Sequence, residues 1–472
     1  MKTRFLSMLL ATALLAALAA CSNPTAPDDS GTGQSPTESG VLADTFVDDT
    51  TEQSDESLGL FRTDATLAET VLVDENGVKI TATGLAYTAY SVDLELTIEN
   101  NSGKDLSFVS GSLGYSCNSV NGYMIDSGYL NCDVADGKKA NDAISFGYDA
   151  LMLYGIDEIA DIEIGISMTD DDYNTTYTGP QQVKTSAAET HDYDTDHYQD
   201  TITSSAAMNT YGYEMIHFSQ DALYDQGGVK LLSSGVMSNR DGETVLLLEL
   251  ENTTDKMVYL STSDIAINSL LVNSSIWSSD AINPGKRRIV DVALSSVLDT
   301  AYWSVYGITR VGAVSLSLGQ YNADGMEISA ETQIKIVVPD VDTSFDGTGT
   351  EIYNSGGLKI MFKTIVKDPS DYSSDLHVLL LAENSSGKTL TLEDAYGSLS
   401  VNGFMTDYSY SSQELGSGQS AVIELKLWES SLADNQISSV SDIQEIECGL
   451  EIKEGYTTMD EPTLTLVFER AN

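Results

Sequence analysis

From Val92 to Glu99 the chain alternates without a break: Val92, Leu94, Leu96 and Ile98 are apolar, and Asp93, Glu95, Thr97 and Glu99 are polar. A period of two sends neighbouring side chains to opposite faces, so the segment predicts a strand with one buried face. Two later stretches keep the inward set, with Leu246, Leu248 and Leu250 in 245–251 and Val378, Leu380 and Ala382 in 376–383. Their outward positions are different. Val245 and Leu247, or Leu379 and Leu381, replace polar residues there. Apolar side chains on both faces predict that these outer faces are covered, by another element of the same domain or by a neighbouring domain.

Each of these strands sits inside a longer repeat. A Gly turn opens the preceding strand at Asn76-Gly77-Val78-Lys79, Gly227-Gly228-Val229-Lys230 and Gly356-Gly357-Leu358-Lys359, and each alternating strand closes on Glu-Asn, at Glu99-Asn100, Glu251-Asn252 and Glu383-Asn384. Some twenty residues on comes Val-Asn-small, at Val120-Asn121-Gly122, Val272-Asn273-Ser274 and Val401-Asn402-Gly403, with Asn-to-Asn intervals of 21, 21 and 18. Repeats of this length are whole domains. Further strands are predicted at 143–146, 289–292 and 422–427, then at 162–168, 314–318 and 446–452, with a short helix or turn at 148–154 between such a pair. The expected fold is all-β: three tandem immunoglobulin-like antiparallel β-sandwich domains with short helical turns. The expected boundaries are an export signal over 1–20, a tether over 21–58, sandwiches over 59–186, 215–339 and 340–472, and an acidic linker over 187–214.

The motifs also carry a resemblance. Val120-Asn121-Gly122-Tyr123, Gly137-Lys138-Lys139-Ala140-Asn141-Asp142 and Gly155-Ile156 with Ile159-Ala160-Asp161-Ile162 resemble the immunoglobulin-like domain of many lipoproteins of clostridia and related Gram-positive bacteria. Its fold is similar to that of a small secreted mycobacterial immunogenic β-sandwich antigen. The second repeat departs from the pattern with Gly285-Lys286-Arg287-Arg288, and the third with Gly418-Gln419-Ser420. Such families lack an established activity, so the resemblance implies fold and location and carries over no functional residue.

The N-terminus agrees on location. Lys2 and Arg4 precede an apolar run from Phe5 to Ala20 that reads as an export signal. Its end, Leu18-Ala19-Ala20-Cys21, resembles the lipobox of bacterial lipoproteins, which implies diacylation of Cys21 and an extracytoplasmic protein anchored in the cell membrane. Two acyl chains suffice for a stable anchor. The Ser, Thr, Asp, Glu, Gly and Pro of the following stretch cannot bury a core, and predict a flexible tether.

With 72 acidic and 23 basic residues and a formal charge of −49, the chain repels nucleic acid and anionic lipid surfaces. Cys117 and Cys132 flank the first Val-Asn-Gly turn, where two neighbouring strands could join them; a disulfide and two buried thiols explain the sequence equally. Cys448 aligns with Ile164 and Leu316, the position of a core thiol.

Candidate chemistry is sparse. None of the four histidines, His191, His197, His217 and His377, lies in a catalytic motif, and His377 aligns with Asp93 on an outer, surface-facing position. Asp192, Asp194 and Asp196 alternate as calcium ligands do, but the run lacks the Gly turn of such loops, so a solvated acidic linker competes with a metal site. At the next joint Asp340, Asp342 and Glu351 suit a calcium loop in spacing, while Phe345 occupies the Gly position. Through His191 and His197 the first of these runs could also take a transition metal, and no other cofactor is implied. The 24 tyrosines suit both strands and adaptable contact surfaces. The expected role is non-catalytic: binding or adhesion at the bacterial surface, or an envelope scaffold, toward an unknown protein or glycan partner. A small-molecule or glycan receptor is the alternative, favoured by an aromatic-lined pocket.

Overall fold

The computed structural model describes residues 58–110, 118–273, 280–296, 298–322, 324–367, 373–407 and 412–468. Cys21, the export signal and almost all of the tether lie outside these residues, as does Cys117. The fold is all-β, with sheets of four, eleven, nine and seven strands among the described residues.

In each repeat the alternating strand is central to a first sheet. Ser91–Asn100 lies between Val78–Tyr87 and a return strand, Lys138–Gly147. Thr244–Asn252 lies between Val229–Ser238 and the return strand Arg287–Ala293, and Leu376–Asn384 between Leu358–Lys367 and the return strand Ser420–Leu427. Registers correspond: Glu99 faces Lys139, Glu251 faces Arg287 and Glu383 faces Ser420. The second sheet of each repeat is built on Asp161–Asp170, Ala313–Tyr321 or Glu445–Glu454. Cys448 lies on the last of these, buried at the expected core position, and burial pushes its thiol up to about 12.

The Glu-Asn landmark has a physical reason. The side chain of Asn100 donates to the carbonyls of Lys104 (2.8 Å) and Val134 (2.7 Å) and accepts from the Ser102 amide (3.0 Å). Asn252 does the same with Lys256, Ile282 and Thr254, and Asn384 with Lys388, Leu415 and Ser386. Each buried amide thereby satisfies backbone groups where the chain leaves the sheet. The glycine landmark is steric. Gly77, Gly228 and Gly357 have φ of 81°, 81° and 85°, and a Cβ on Gly77 would meet the Asn101 carbonyl at 2.4 Å.

The Val-Asn-small landmark is corrected in the second repeat. Asn121, at φ 47°, donates to the Glu158 carbonyl and accepts from the amides of Ala160 and Asp161. Asn402, at φ 53°, makes the equivalent bonds to Asp442, Gln444 and Glu445. In repeat 2 this part is played by Asn268, bonded to Arg310, Gly312 and Ala313 at φ 51°, and not by Asn273. Equal spacing pointed to Val272-Asn273-Ser274; the turn instead comes five residues earlier, in a shorter loop.

The hairpin around this asparagine joins the repeats. Tyr123–Ile125 of repeat 1 runs parallel to the return strand of repeat 2, with Tyr123 beside Arg287. Leu270–Asn273 of repeat 2 runs parallel to the return strand of repeat 3, with Leu270 beside Ser420. Sheets therefore pass from one repeat into the next. The outward Val245 and Leu247 join the first hydrophobic core, and the outward Leu379 and Leu381 join the second. A neighbouring repeat covers those faces, one of the two covers that alternation allowed.

Residues 187–214 differ from an acidic solvated linker. They hold two short helices, His197–Ile202 and Ser205–Tyr211, capped by Asp196 and Ser204, with Tyr198, Ile202 and Ala207 buried in the first core. The helix Tyr148–Leu153 stands where expected. No helix among the described residues is long and apolar enough to cross a membrane.

Candidate functional site

Where repeats 1 and 2 meet, a cleft of about 440 Å3 opens between the first Val-Asn-Gly turn, the segment after the Tyr148–Leu153 helix, and the residues that precede His197. Its walls include Tyr123, His191, Tyr193 and His197, two arginines, Arg62 and Arg287, and the carboxylates of Asp157, Glu158, Asp192 and Glu251. His191 meets Tyr193 edge-on, with ring centroids 4.5 Å apart, and lies 5.9 Å from His197. Burial and the neighbouring His197 both lower the His191 pKa. Tyr193 is anchored by a 2.6 Å bond from its hydroxyl to Asp161.

Arg287, in the cleft wall, belongs to a set of charges at the joint. Arg287 reaches Asp196 at 2.8 Å and Glu251 at 3.4 Å, and donates to the Tyr123 hydroxyl at 3.3 Å. Burial opposes its charge, but Tyr123, Asp196 and Glu249 together hold it above the ordinary arginine range. Lys286 pairs with Glu163 at 3.2 Å, and Arg288, which is 1% exposed, pairs with Asp126 at 2.7 Å. The departure Lys286-Arg287-Arg288 is thus the clamp between repeats 1 and 2, each residue answering an acid of repeat 1 or of the segment after it.

Behind Arg287 lies Glu249, almost fully buried, accepting from Gln199 and Ser233 at 2.7 Å each. Burial first, and then the Asp196 charge, push its carboxyl up to about 7. Neither Glu249 nor the triplet was among the site residues expected from sequence. Two signals were available: three consecutive basic residues in a chain holding only 23, and a carboxylate at an outward position of a strand whose outward neighbours Val245 and Leu247 are apolar.

The acidic runs do not converge on a cation. Asp192 closes a turn by accepting from the amides of Asp194 and Thr195 and from the Thr195 hydroxyl, and that hydroxyl is the main cause of its lowered pKa. Asp194 is exposed, while Asp196 caps a helix and pairs with Arg287. At the next joint Asp342 accepts from Ser344, Glu351 accepts from Asn354 on a strand, and Asp340 sits in a left-handed turn at φ 60°. Among the described residues no group of three or more His, Cys, Asp or Glu side chains could hold a metal ion. Cys132 lies half-buried opposite Phe108, and its pairing with Cys117 falls outside the described residues. His377, expected at the surface, is corrected: it is buried at the second joint, bonded to Glu424 and facing Tyr302 with centroids 5.7 Å apart.

No protein-family model matches the chain, and no curated protein matches it. Among solved structures it is similar to a glycosyl hydrolase family 2 member from Bacteroides cellulosilyticus, at 11% identity over 48% of this chain and 28% of that chain, with a TM-score of 0.16. A structure described for host cell surface retention of a 1.5-MDa bacterial ice-binding adhesin matches at 9% identity over 79% of this chain and 90% of that one, with a TM-score of 0.14. A protein of unknown function from Porphyromonas gingivalis W83 matches at 11% identity, 48% and 91% coverage and a TM-score of 0.14. The chain spans little more than a quarter of the glycosyl hydrolase. Scores of this size carry no argument about activity.

Proposed function

We propose that the protein is a non-catalytic binding module of the bacterial envelope, held to the membrane by lipid on Cys21, whose ligand seats in the cleft between repeats 1 and 2. The observation that carries this reading is the cleft itself. Tyr193 and two imidazoles offer flat faces, the arginines and carboxylates offer directed hydrogen bonds, and the surrounding ion pairs fix them in place. Few polar groups precisely held in a concave site favour one orientation of a small polar ligand. Aromatic faces beside paired donors and acceptors suit a glycan. The lipobox and the resemblance to lipoprotein repeats support the location, and the acidic surface supports a soluble, exported chain.

Oligosaccharides released from the bacterial wall are the probe. Titration into the full protein should give saturable binding that Tyr193→Ala and His191→Ala weaken by tenfold or more, about 1.4 kcal/mol. Saturable binding unchanged by both substitutions would move the ligand elsewhere, and no binding of wall oligosaccharide would remove the glycan reading.

A further inference from the structure

The two joints share one construction, and repeats 1 and 3 each carry an unpaired half of it among the described residues. At both joints a hairpin lies beside the return strand of the next repeat, and its leading residues are covered: Tyr123 and Met124 are 5% and 1% exposed, and Leu270 and Leu271 are 0% and 2%. The third repeat has the same hairpin, Ser400–Val401 with Phe404–Met405, turned by the same asparagine. Here the strand ends its sheet among the described residues, and Phe404 and Met405 are 52% and 61% exposed. At the other end, Lys138–Gly147 ends the four-stranded sheet of repeat 1 at the position where the other return strands receive a hairpin.

The geometry points to a second copy of this chain as the occupant: the Phe404–Met405 strand of one molecule adds in parallel to the Lys138–Gly147 strand of the next. Equivalent registers place Phe404 beside Lys139, as Tyr123 lies beside Arg287 and Leu270 beside Ser420. Charge selects this pairing. The strand behind the hairpin carries Glu163 opposite Ser119, Ser315 opposite Ala266 and Glu447 opposite Ser400 in the three repeats. The receiving position carries Lys286, Gln419 and Lys138 in turn. Within the chain the acid Glu163 meets the base Lys286 at 3.2 Å, and the neutral Ser315 belongs to the joint that presents the neutral Gln419. The remaining acid and base, Glu447 and Lys138, lack such a match among the described residues and would complement each other between molecules.

The contact is smaller than the internal joints. The outer face of repeat 1 carries Asp93 and Glu95 in place of Val245 and Leu247, and the third repeat carries Asn435 where Tyr154 and Tyr306 mark the internal joints. Association is therefore reversible and, being head-to-tail, extends beyond a dimer. An exposed sheet edge with an apolar strand is the usual substrate for such strand addition.

Cross-linking of full-length protein in its membrane tests this. With Phe404→Cys and Lys139→Cys in one chain, mild oxidation should yield a reducible ladder of dimers, trimers and longer species, several-fold beyond either single variant. Adding Lys138→Glu should cut the ladder several-fold, and adding Glu447→Lys as well should restore it. Monomer alone would overturn the proposal, and so would dimers formed equally by one single variant, or adducts only to another protein. Equal ladders with and without Lys138→Glu would overturn the assigned charge pairing.

Discussion

The two joints use one backbone arrangement and a similar apolar inset, with Met237, Val245, Leu247 and Ile289 entering the first core and Met361, Leu379, Leu381 and Val422 the second, but they differ in the charges laid beside it. Between repeats 1 and 2 a cluster of charges is added: Lys286 with Glu163, Arg287 with Asp196, Arg288 with Asp126, and Glu249 buried behind them. Between repeats 2 and 3 the contact is chiefly apolar, with Met361, Leu379, Leu381 and Val422 joining the core that contains Tyr302 and Tyr306. A hairpin laid parallel to a return strand sets the geometry in both, so side chains are left to set strength and pH response. Buried ion pairs contribute little net stability compared with apolar packing, but they penalise any wrong neighbour heavily. The joint with the added charges is therefore the more specific of the two, and the chiefly apolar joint the more permissive.

The largest expected effect breaks the charged joint. Arg288→Ala removes a fully buried cation that pairs with Asp126, which should cost about 3–5 kcal/mol. Urea unfolding followed by separate probes in repeats 1 and 2 should show their transition moving to lower denaturant while repeat 3 holds. Coincident movement of all three repeats would show that the joints do not unfold independently.

The next effect is a difference in pH response. Glu249 has a folded pKa near 7 against an ordinary value of 4.5, so its contribution is full below about pH 4.5 and is lost as pH rises toward 7. The charged joint should lose on the order of 2–3 kcal/mol between pH 4.5 and pH 8 from this group, and Glu249→Gln should abolish that slope. At the apolar joint the signed effect is reversed: Asp346, lowered by bonds from Thr348 and by Lys363, favours the folded state until strong acid. Melting curves of the wild type and Glu249→Gln at the two pH values decide it, and parallel shifts in both would refute the assignment.

The smallest effect sharpens the apolar joint. Tyr306 donates from its hydroxyl to the Leu380 carbonyl at 2.9 Å, a single neutral bond across repeats 2 and 3. Tyr306→Phe should cost about 1 kcal/mol, read as a small shift in the midpoint of repeat 3. A cost several times larger would mean that the hydroxyl, rather than the ring, holds that joint.

The all-β class was legible because alternation over eight residues has a single structural meaning. The covered outer faces were also legible, from Val245, Leu247, Leu379 and Leu381 standing where water would demand polar groups. What was lost was lost for physical reasons. Asn268 was passed over because the spacing between landmarks is set by loop length, which varies, whereas the conserved requirement is a side chain able to bond three backbone groups from a left-handed turn. Residues 187–214 read as solvated because the stretch carries carboxylates and no Lys or Arg, and yet Asp196, Ser204 and Gly212 are start and stop signals for two short helices that bury Tyr198 and Ile202. His377 looked exposed because it shares a position with Asp93; in the fold that position lies at the joint, facing the neighbour's Tyr302. The cleft was illegible for a related reason, since its walls come from segments more than a hundred residues apart.

The recurrence of one register at both joints has an implication for building with this chain. Because backbone pairing is common to all three repeats and the acid, base or neutral residue at the positions of Glu163 and Lys286 differs, each repeat carries an address separate from its scaffold. A designer could shuffle, delete or multiply units and rewrite only those addresses, much as one relabels couplings on identical cars of a train.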